Sequence, residues 1–230
     1  MKLSAEQIAK IDENLVLNGV VYDDIKLELT DHIASDIENN IKINDVLFEE
    51  AFVHAFENWK EQLRPSSSLF WAPFWLNGPK LFMDKWVKES KQQFFFWWLL
   101  SVVISLLIAC TIMQNKSNIF LNQLVQGYEI LLIVLVVFLF IARYFVFKSP
   151  TKTIFSYMYN VHCAGSVLML AIQLFSSEFN SDFIFALNQK FIMRRLFFSV
   201  FIHIWCVVYS IYSIYFLFNH FQFERKLAKV

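Results

Sequence analysis

The chain has 230 residues, of which 57% are hydrophobic and 18% aromatic, while glycine and proline occur only four times each. This composition favours a mostly helical membrane protein, and the scarcity of glycine argues against a nucleotide-binding loop. The formal net charge is zero, but residues 1–63 carry fourteen Asp and Glu against five Lys, and the remainder is basic. We therefore expect an acidic head that is repelled by an anionic membrane surface and a basic remainder that is attracted to it.

The three cysteines, Cys110, Cys163 and Cys206, all lie in apolar runs. Their positions are unlike those of a disulfide framework or a CxxC zinc site. The N-terminus is polar and amphipathic and lacks the continuous apolar segment of a signal peptide, so nothing predicts export of the head.

Residues 1–64 are predicted to form an acidic cytoplasmic domain of three helices. A first helix should begin at Ser4, whose spacing to Gln7 is that of a capping box. Two further helices, from about Asp23 and Asp45, place apolar side chains three and four residues apart. A core of this size is marginal, so we expect additional contacts from the membrane segment or from a partner.

Residues 65–93 are predicted to be an aromatic interfacial linker followed by an amphipathic helix. Pro65 ends the third helix, and four large aromatic residues follow it: Phe70, Trp71, Phe74 and Trp75. Tryptophan is favoured at the headgroup level of a membrane, so the linker should lie in or against the interface. Pro79 suits the first turn of a helix, whose lysines would lie beside phosphate headgroups: Lys80, Lys85, Lys88 and Lys91.

Residues 94–230 are predicted to be a transmembrane domain of four helices. The first apolar run, 94–113, has twenty residues without a charge, which is the length that a helix needs to cross a bilayer. Three further apolar runs predict helices at about 130–147, 154–175 and 196–218. The sequence thus predicts an all-α protein, with a small cytoplasmic helical bundle followed by a four-helix transmembrane bundle.

The distribution of Lys and Arg near the helix ends predicts the orientation. An N-terminus in the cytoplasm leaves ten of these residues on the cytoplasmic side and four on the other. Because positive residues are retained on the cytoplasmic side, both termini should be cytoplasmic, in a multi-pass protein of the inner (cytoplasmic) membrane. This orientation places Lys190, Arg194 and Arg195 outside, against the general trend.

Two of the predicted membrane helices carry unusual polar side chains. On the fourth, residues spaced 4, 3, 4 and 3 apart form one face: Ser199, His203, Cys206, Ser210 and Ser213. The third contributes Asn160 and His162. We favour a helix-packing face, because small residues allow close approach and hydroxyl groups bond across helices in lipid. The alternative is a polar path or ligand site, since ionisable residues within a membrane are often functional.

No cofactor or metal is predicted. The depths of His162 and His203 in their helices differ by about 8 Å at 1.5 Å per residue, which is too far for two ligands of one iron. The sequence also contains no phosphate-binding glycine loop, nucleophile elbow or HExxH motif. We therefore do not expect an enzyme.

The second helix of the head places four polar side chains near one another: Glu28, Asp31, His32 and Asp36. Histidine and carboxylates at helical spacing could bind a divalent metal, although a solvated acidic face is favoured. We predict that this acidic face binds a soluble protein. Direct binding of nucleic acid is not expected of an acidic surface.

The head also resembles a known bacterial group. Two segments, YDDIKLELTDHIASDIE and LFEEAFVHAFENWKEQL, are followed by a linker and membrane helices. This pattern is similar to the N-terminal helical domains of HAAS-type and permease-prefix membrane proteins, over residues 1 to about 65. Arg64-Pro65-Ser66 stands where that group has Gly-x-Pro. The resemblance implies a regulatory membrane protein that often acts beside a PadR-like transcription regulator, and it assigns no functional residue.

The sequence thus predicts a regulatory or signalling-associated membrane protein whose cytoplasmic head binds a soluble partner, such as a transcription regulator. The alternative is a small transporter or channel component that uses the polar faces of the third and fourth membrane helices. Contacts with membrane lipids follow from the four predicted spans, and a homo-oligomer is compatible with either function.

Overall fold

A computed structural model of the chain describes residues 2–68, 77–114, 118–175 and 193–228. Within these residues the structure has seven α-helices and one two-stranded ribbon, so the predicted all-α class is confirmed. The chain divides into two compact units: a head unit of Met1–Gln92 with Thr151–Ile154, and a membrane unit of Gln93–Pro150 with Phe155–Val230. Lys190 lies outside the described residues. So do the four aromatic residues of the predicted linker: Phe70, Trp71, Phe74 and Trp75.

The first three helices of the head unit are α1 (Ala5–Leu17), α2 (Asp23–Asn44) and α3 (Phe48–Leu63). The predicted capping box is present, because the Gln7 N–H donates to Ser4 Oγ and the Ser4 N–H donates to Gln7 Oε1. The third helix begins later than predicted. Asp45 has a left-handed φ of 51° and caps the end of α2, so it cannot belong to the next helix.

The core of the head unit is an aliphatic stripe on α2. Its members are four residues apart, lie on one helical face and are fully buried: Ile25, Leu29, Ile33 and Ile37. Ile11 and Leu15 of α1 and Phe52 of α3 are also buried. Their spacing explains why α1 and α3 both pack against α2.

A short antiparallel ribbon leads from α3 into the fourth helix, with β1 (Pro65–Ser67) paired to β2 (Asn77–Pro79). The fourth helix, α4 (Lys80–Gln114), begins in the head unit and continues into the membrane unit. Its first part adds Phe82, Met83 and Trp86 to the buried residues of the head. This segment supplies the apolar area that the three short helices lack.

Two of the lysines that the sequence predicts beside phosphate headgroups form ion pairs within the head unit. Lys80 Nζ lies 3.3 Å from Glu61 Oε1, and Lys85 Nζ lies 2.9 Å from Glu28 Oε2. Both pairs are partly exposed, so each contributes about 0.2–1 kcal/mol. They neutralise part of the acidic charge of the head.

The membrane unit contains the rest of α4 together with α5 (Asn118–Lys148), α6 (Ile154–Phe175) and α7 (Met193–Leu227). Four helices are long and apolar enough to cross a membrane: Lys80–Gln114, Gln123–Lys148, Ile154–Leu174 and Phe197–Leu227. Many large apolar side chains of these helices are exposed, among them Phe95, Leu107 and Phe140. Exposure of this kind fits helices whose surroundings are hydrocarbon.

Candidate functional site

The predicted polar residues of the membrane helices bring α6 and α7 together. His162 Nδ1 of α6 lies 2.6 Å from Tyr209 Oη of α7. A second contact joins the same two helices, because Ser166 Oγ of α6 lies 3.2 Å from Ser213 Oγ of α7. The two helices are therefore joined by two side-chain hydrogen bonds, which is how polar residues stabilise helix pairs in lipid.

Aromatic rings surround the His162 imidazole. Phe216 stacks on it with centroids 5.1 Å apart and an interplanar angle of 21°, and Tyr212 meets it edge to face at 4.9 Å. The hydrogen bond to Tyr209 uses one ring nitrogen. This environment supports a packing role for His162, because the ring faces are already covered by side chains of α7.

Two other predicted residues of α7, His203 and Ser210, bond to carbonyl groups of their own helix. His203 Nδ1 donates to the Ser199 carbonyl oxygen at 2.6 Å, and Ser210 Oγ donates to the Cys206 carbonyl oxygen at 2.8 Å. Bonds of this kind satisfy a buried polar side chain without a ligand. Asn160 is half-buried on α6.

A double-mutant cycle on the serine pair tests the packing role. We expect Ser166→Ala and Ser213→Ala to couple by about 0.6 kcal/mol in the free energy of unfolding, the mean for such bonds within membranes. The measurement is denaturant unfolding of the full chain in detergent. Thr111→Ala is the control, since Thr111 bonds to the Leu107 carbonyl of its own helix at 2.9 Å and to no other residue that the structure describes. Additive effects of the two serine substitutions would contradict the assignment.

The four residues of the predicted acidic face differ in what they contact. Glu28 pairs with a lysine of α4, and Asp36 accepts a hydrogen bond of 2.8 Å from the Trp59 indole. The His32 ring stacks on Trp59 with centroids 6.3 Å apart. Asp31 is exposed, and its carboxylate forms no hydrogen bond or ion pair with another described residue. Asp31 is therefore the member of these four whose charge no described residue balances.

The described residues contain no group of three or more His, Cys, Asp or Glu arranged to hold a metal ion. The Glu28 carboxylate forms an ion pair with Lys85, and the Asp36 carboxylate accepts a hydrogen bond from Trp59. The acidic face therefore presents charge and an aromatic pair to its surroundings.

A set of polar contacts that sequence reasoning missed joins the start of α2 to the segment Thr151–Ile154. The Asp23 N–H donates to the Lys152 carbonyl oxygen at 2.7 Å, and the Lys152 N–H donates to Asp23 Oδ2 at 2.8 Å. The Ile154 N–H donates to Asp24 Oδ1 at 3.0 Å. We call these three hydrogen bonds the latch.

Asp24 is the buried carboxylate of the latch, with 8% of its surface exposed. Its carboxylate satisfies the N–H of the first residue of α6, where the helix dipole also favours a negative charge. Burial raises the pKa of Asp24, while the bond from Ile154 and the positive charge of Lys85 act in the opposite direction. Thr153 and Ile154 are fully buried, so these two residues are part of the head core.

The raised pKa of Asp24 predicts that its contribution to stability grows as the pH falls. The folded protein binds the proton more tightly than the unfolded chain, whose pKa is near the ordinary value of 3.8. The resulting stabilisation is complete below that value and is lost as the pH rises through the raised pKa.

Denaturant unfolding of the wild type and of Asp24→Asn, at several values between about pH 4 and pH 7, measures this effect. The difference in the free energy of unfolding, wild type minus variant, should increase as the pH is lowered. Other titrating groups cancel in the comparison, and a difference independent of pH would contradict the prediction.

Four apolar helices long enough to span a bilayer, together with a polar helical head, define a multi-pass membrane protein. Comparison of the chain with protein-family models, with curated proteins and with solved structures gave no match.

Proposed function

We propose that this chain is a regulatory protein of the bacterial cytoplasmic membrane, which couples the state of its membrane helices to a soluble partner bound by the head. The observation that carries this proposal is the latch. Ile154 is the first residue of α6, and its N–H is bonded to a buried carboxylate of the head. Displacing Ile154 breaks a bond inside the head core, and by reciprocity a change at the start of α2 in the head alters the start of α6.

The partner that fits the head has a basic surface. Residues 1–63 carry fourteen acidic residues against five lysines, and Asp31 is exposed on the acidic face. A protein that binds DNA presents such a basic surface. The resemblance to HAAS-type and permease-prefix proteins supports a transcription regulator as the partner.

The same proposal places both termini in the cytoplasm. Four spans return the chain to the side on which it began. The excess of Lys and Arg on that side favours the cytoplasm. This orientation makes the acidic head accessible to a soluble regulator.

The transporter alternative receives less support from the geometry. His162, Ser166 and Ser213 bond across α6 and α7, and His203 bonds to its own helix. A conduction path needs polar groups that face a solvated cavity. The contacts of these residues fit helix packing better.

Site-specific photo-crosslinking of the full chain in membranes tests the proposed partner site. A photoreactive amino acid replaces Leu27, which is exposed one turn before Asp31, or Val16 of α1 as a matched exposed control. We expect a soluble protein to be crosslinked at position 27 and not at 16. The yield should fall as salt rises from about 0.1 M to about 1 M, which shortens the Debye length from about 10 Å to about 3 Å.

Equal crosslinking at the two positions, or a yield at position 27 that does not change with salt, would contradict an electrostatic partner site. The product should also be lost when Asp31→Lys is introduced beside the probe, because the exposed charge is reversed. This substitution leaves the latch unchanged, so its effect reports on the acidic face alone.

A further inference from the structure

A cavity of about 250 Å³ lies within the membrane unit, between α4, α5 and α7. Its wall is aliphatic except at Tyr128 and His203, and includes Leu124, Leu131 and Val200. All of these residues belong to helices that are apolar enough to cross a membrane. The cavity therefore lies in a part of the protein whose surroundings are lipid.

The mouth of this cavity is on the outer surface of the helices. Gly127 is exposed and Leu131 is 42% exposed, and both line the cavity. A Cβ atom added to Gly127 would meet no other atom within 4 Å. The space beside Gly127 is therefore open, and a flexible chain can reach the cavity from the side at this position.

The polar side chains in the wall are already bonded within the protein. Tyr128 Oη donates to Gln173 Oε1 at 2.5 Å, and His203 Nδ1 donates to the Ser199 carbonyl oxygen. Because these atoms have internal partners, an occupant need not supply a hydrogen bond. An apolar cavity of this kind takes hydrocarbon rather than water or a polar solute.

We propose that this cavity binds one acyl chain of a membrane lipid. A cavity of about 150 Å³ accommodates benzene, with six carbon atoms, so 250 Å³ accommodates about ten carbons of an acyl chain. The chain enters at Gly127, and its headgroup stays outside the cavity. The favourable free energy of binding comes from dispersion contacts with the cavity wall, because moving an acyl chain from lipid into an apolar site has little hydrophobic driving force.

Photolabelling of the full chain in lipid nanodiscs tests this proposal. The probe is a phosphatidylcholine that carries a diazirine near the end of one acyl chain, and labelled residues are mapped by mass spectrometry. We expect labelling of Val200 and Ile204, which line the cavity, to exceed that of exposed residues such as Val134 and Ile172 several-fold. Equal labelling of the two sets would overturn the proposal, whatever the variants show.

Gly127→Leu fills the mouth and should reduce the labelling of Val200 and Ile204 several-fold. The matched control is Ala164→Leu, a similar enlargement at an exposed position of α6 that does not line the cavity. It should leave the labelling unchanged. Labelling that persists in Gly127→Leu, with helicity equal to that of the wild type, would contradict entry of the chain at this position.

Discussion

Replacing Trp86 by Ala is expected to unfold the head unit while the membrane helices remain folded. Trp86 is only 1% exposed, and its ring lies 6.2 Å from that of Phe82 in the part of α4 that belongs to the head. Truncation of a buried Trp costs about 3–5 kcal/mol. A single core in a domain of this size rarely supplies more than about 3–5 kcal/mol, so the loss removes most of the stability of the head.

Limited proteolysis of the full chain in detergent measures this effect, because an unfolded head is cleaved while the helices within the micelle are protected. Trp98→Ala is the matched control, since the same substitution is made on the same helix at a side chain that is 44% exposed. The control should keep the protease resistance of the wild type. If Trp86→Ala also kept it, the packing of α4 into the head core would be wrong.

Asp24→Ala is expected to release the segment Thr151–Ile154 from the head. The substitution leaves the buried Ile154 N–H without its acceptor, which costs about 1–3 kcal/mol. Relief of the desolvated carboxylate offsets part of this cost, because burial raises the pKa of Asp24. Asp24→Asn retains a carbonyl oxygen that can accept the same bond, so it should cost less than Asp24→Ala.

Hydrogen exchange of the Ile154 amide measures the effect directly. A loss of about 1–3 kcal/mol corresponds to exchange that is about 5- to 150-fold faster. Asp31→Ala, at an exposed position of the same helix, should leave the exchange rate of Ile154 unchanged. Unaltered protection in Asp24→Ala would show that another group holds this amide.

The head helices and the membrane spans could be predicted because their signals are local. The stripe of Ile25, Leu29, Ile33 and Ile37 repeats every four residues, and that spacing alone places these side chains on one buried face. The capping box at Ser4 needs only residues three apart. The spans follow from the length and apolarity of each run.

The latch could not be predicted, because its partners are about 130 residues apart in the chain. In the sequence, Asp23 and Asp24 look like ordinary first-turn acids of α2. Lys152 and Thr153 look like part of a short loop between two spans. No periodicity or capping pattern links the two segments.

The start of α4 shows a different ambiguity. The lysines of its first part predicted a helix beside the phosphate headgroups of a membrane: Lys80, Lys85, Lys88 and Lys91. In the structure Trp86 is buried in the head, and Lys85 pairs with Glu28. An amphipathic helix has the same pattern whether its apolar face meets lipid or protein, so the sequence alone cannot distinguish the two.

Disulfide trapping of the latch in native membranes tests the central claim most directly. In a chain without its three native cysteines, cysteine replaces both Asp23 and Lys152, whose backbones are bonded at 2.7 Å. Disulfides form where Cα atoms are about 4.4–6.8 Å apart. The control pair places cysteine at Asp31 and Lys152. Asp31 lies eight residues beyond Asp23 on α2, which is about 12 Å along the helix axis. We predict that a disulfide forms rapidly between positions 23 and 152 and that none forms in the control pair. Cysteines at 23 and 152 that both react with a thiol reagent but form no disulfide would contradict the account.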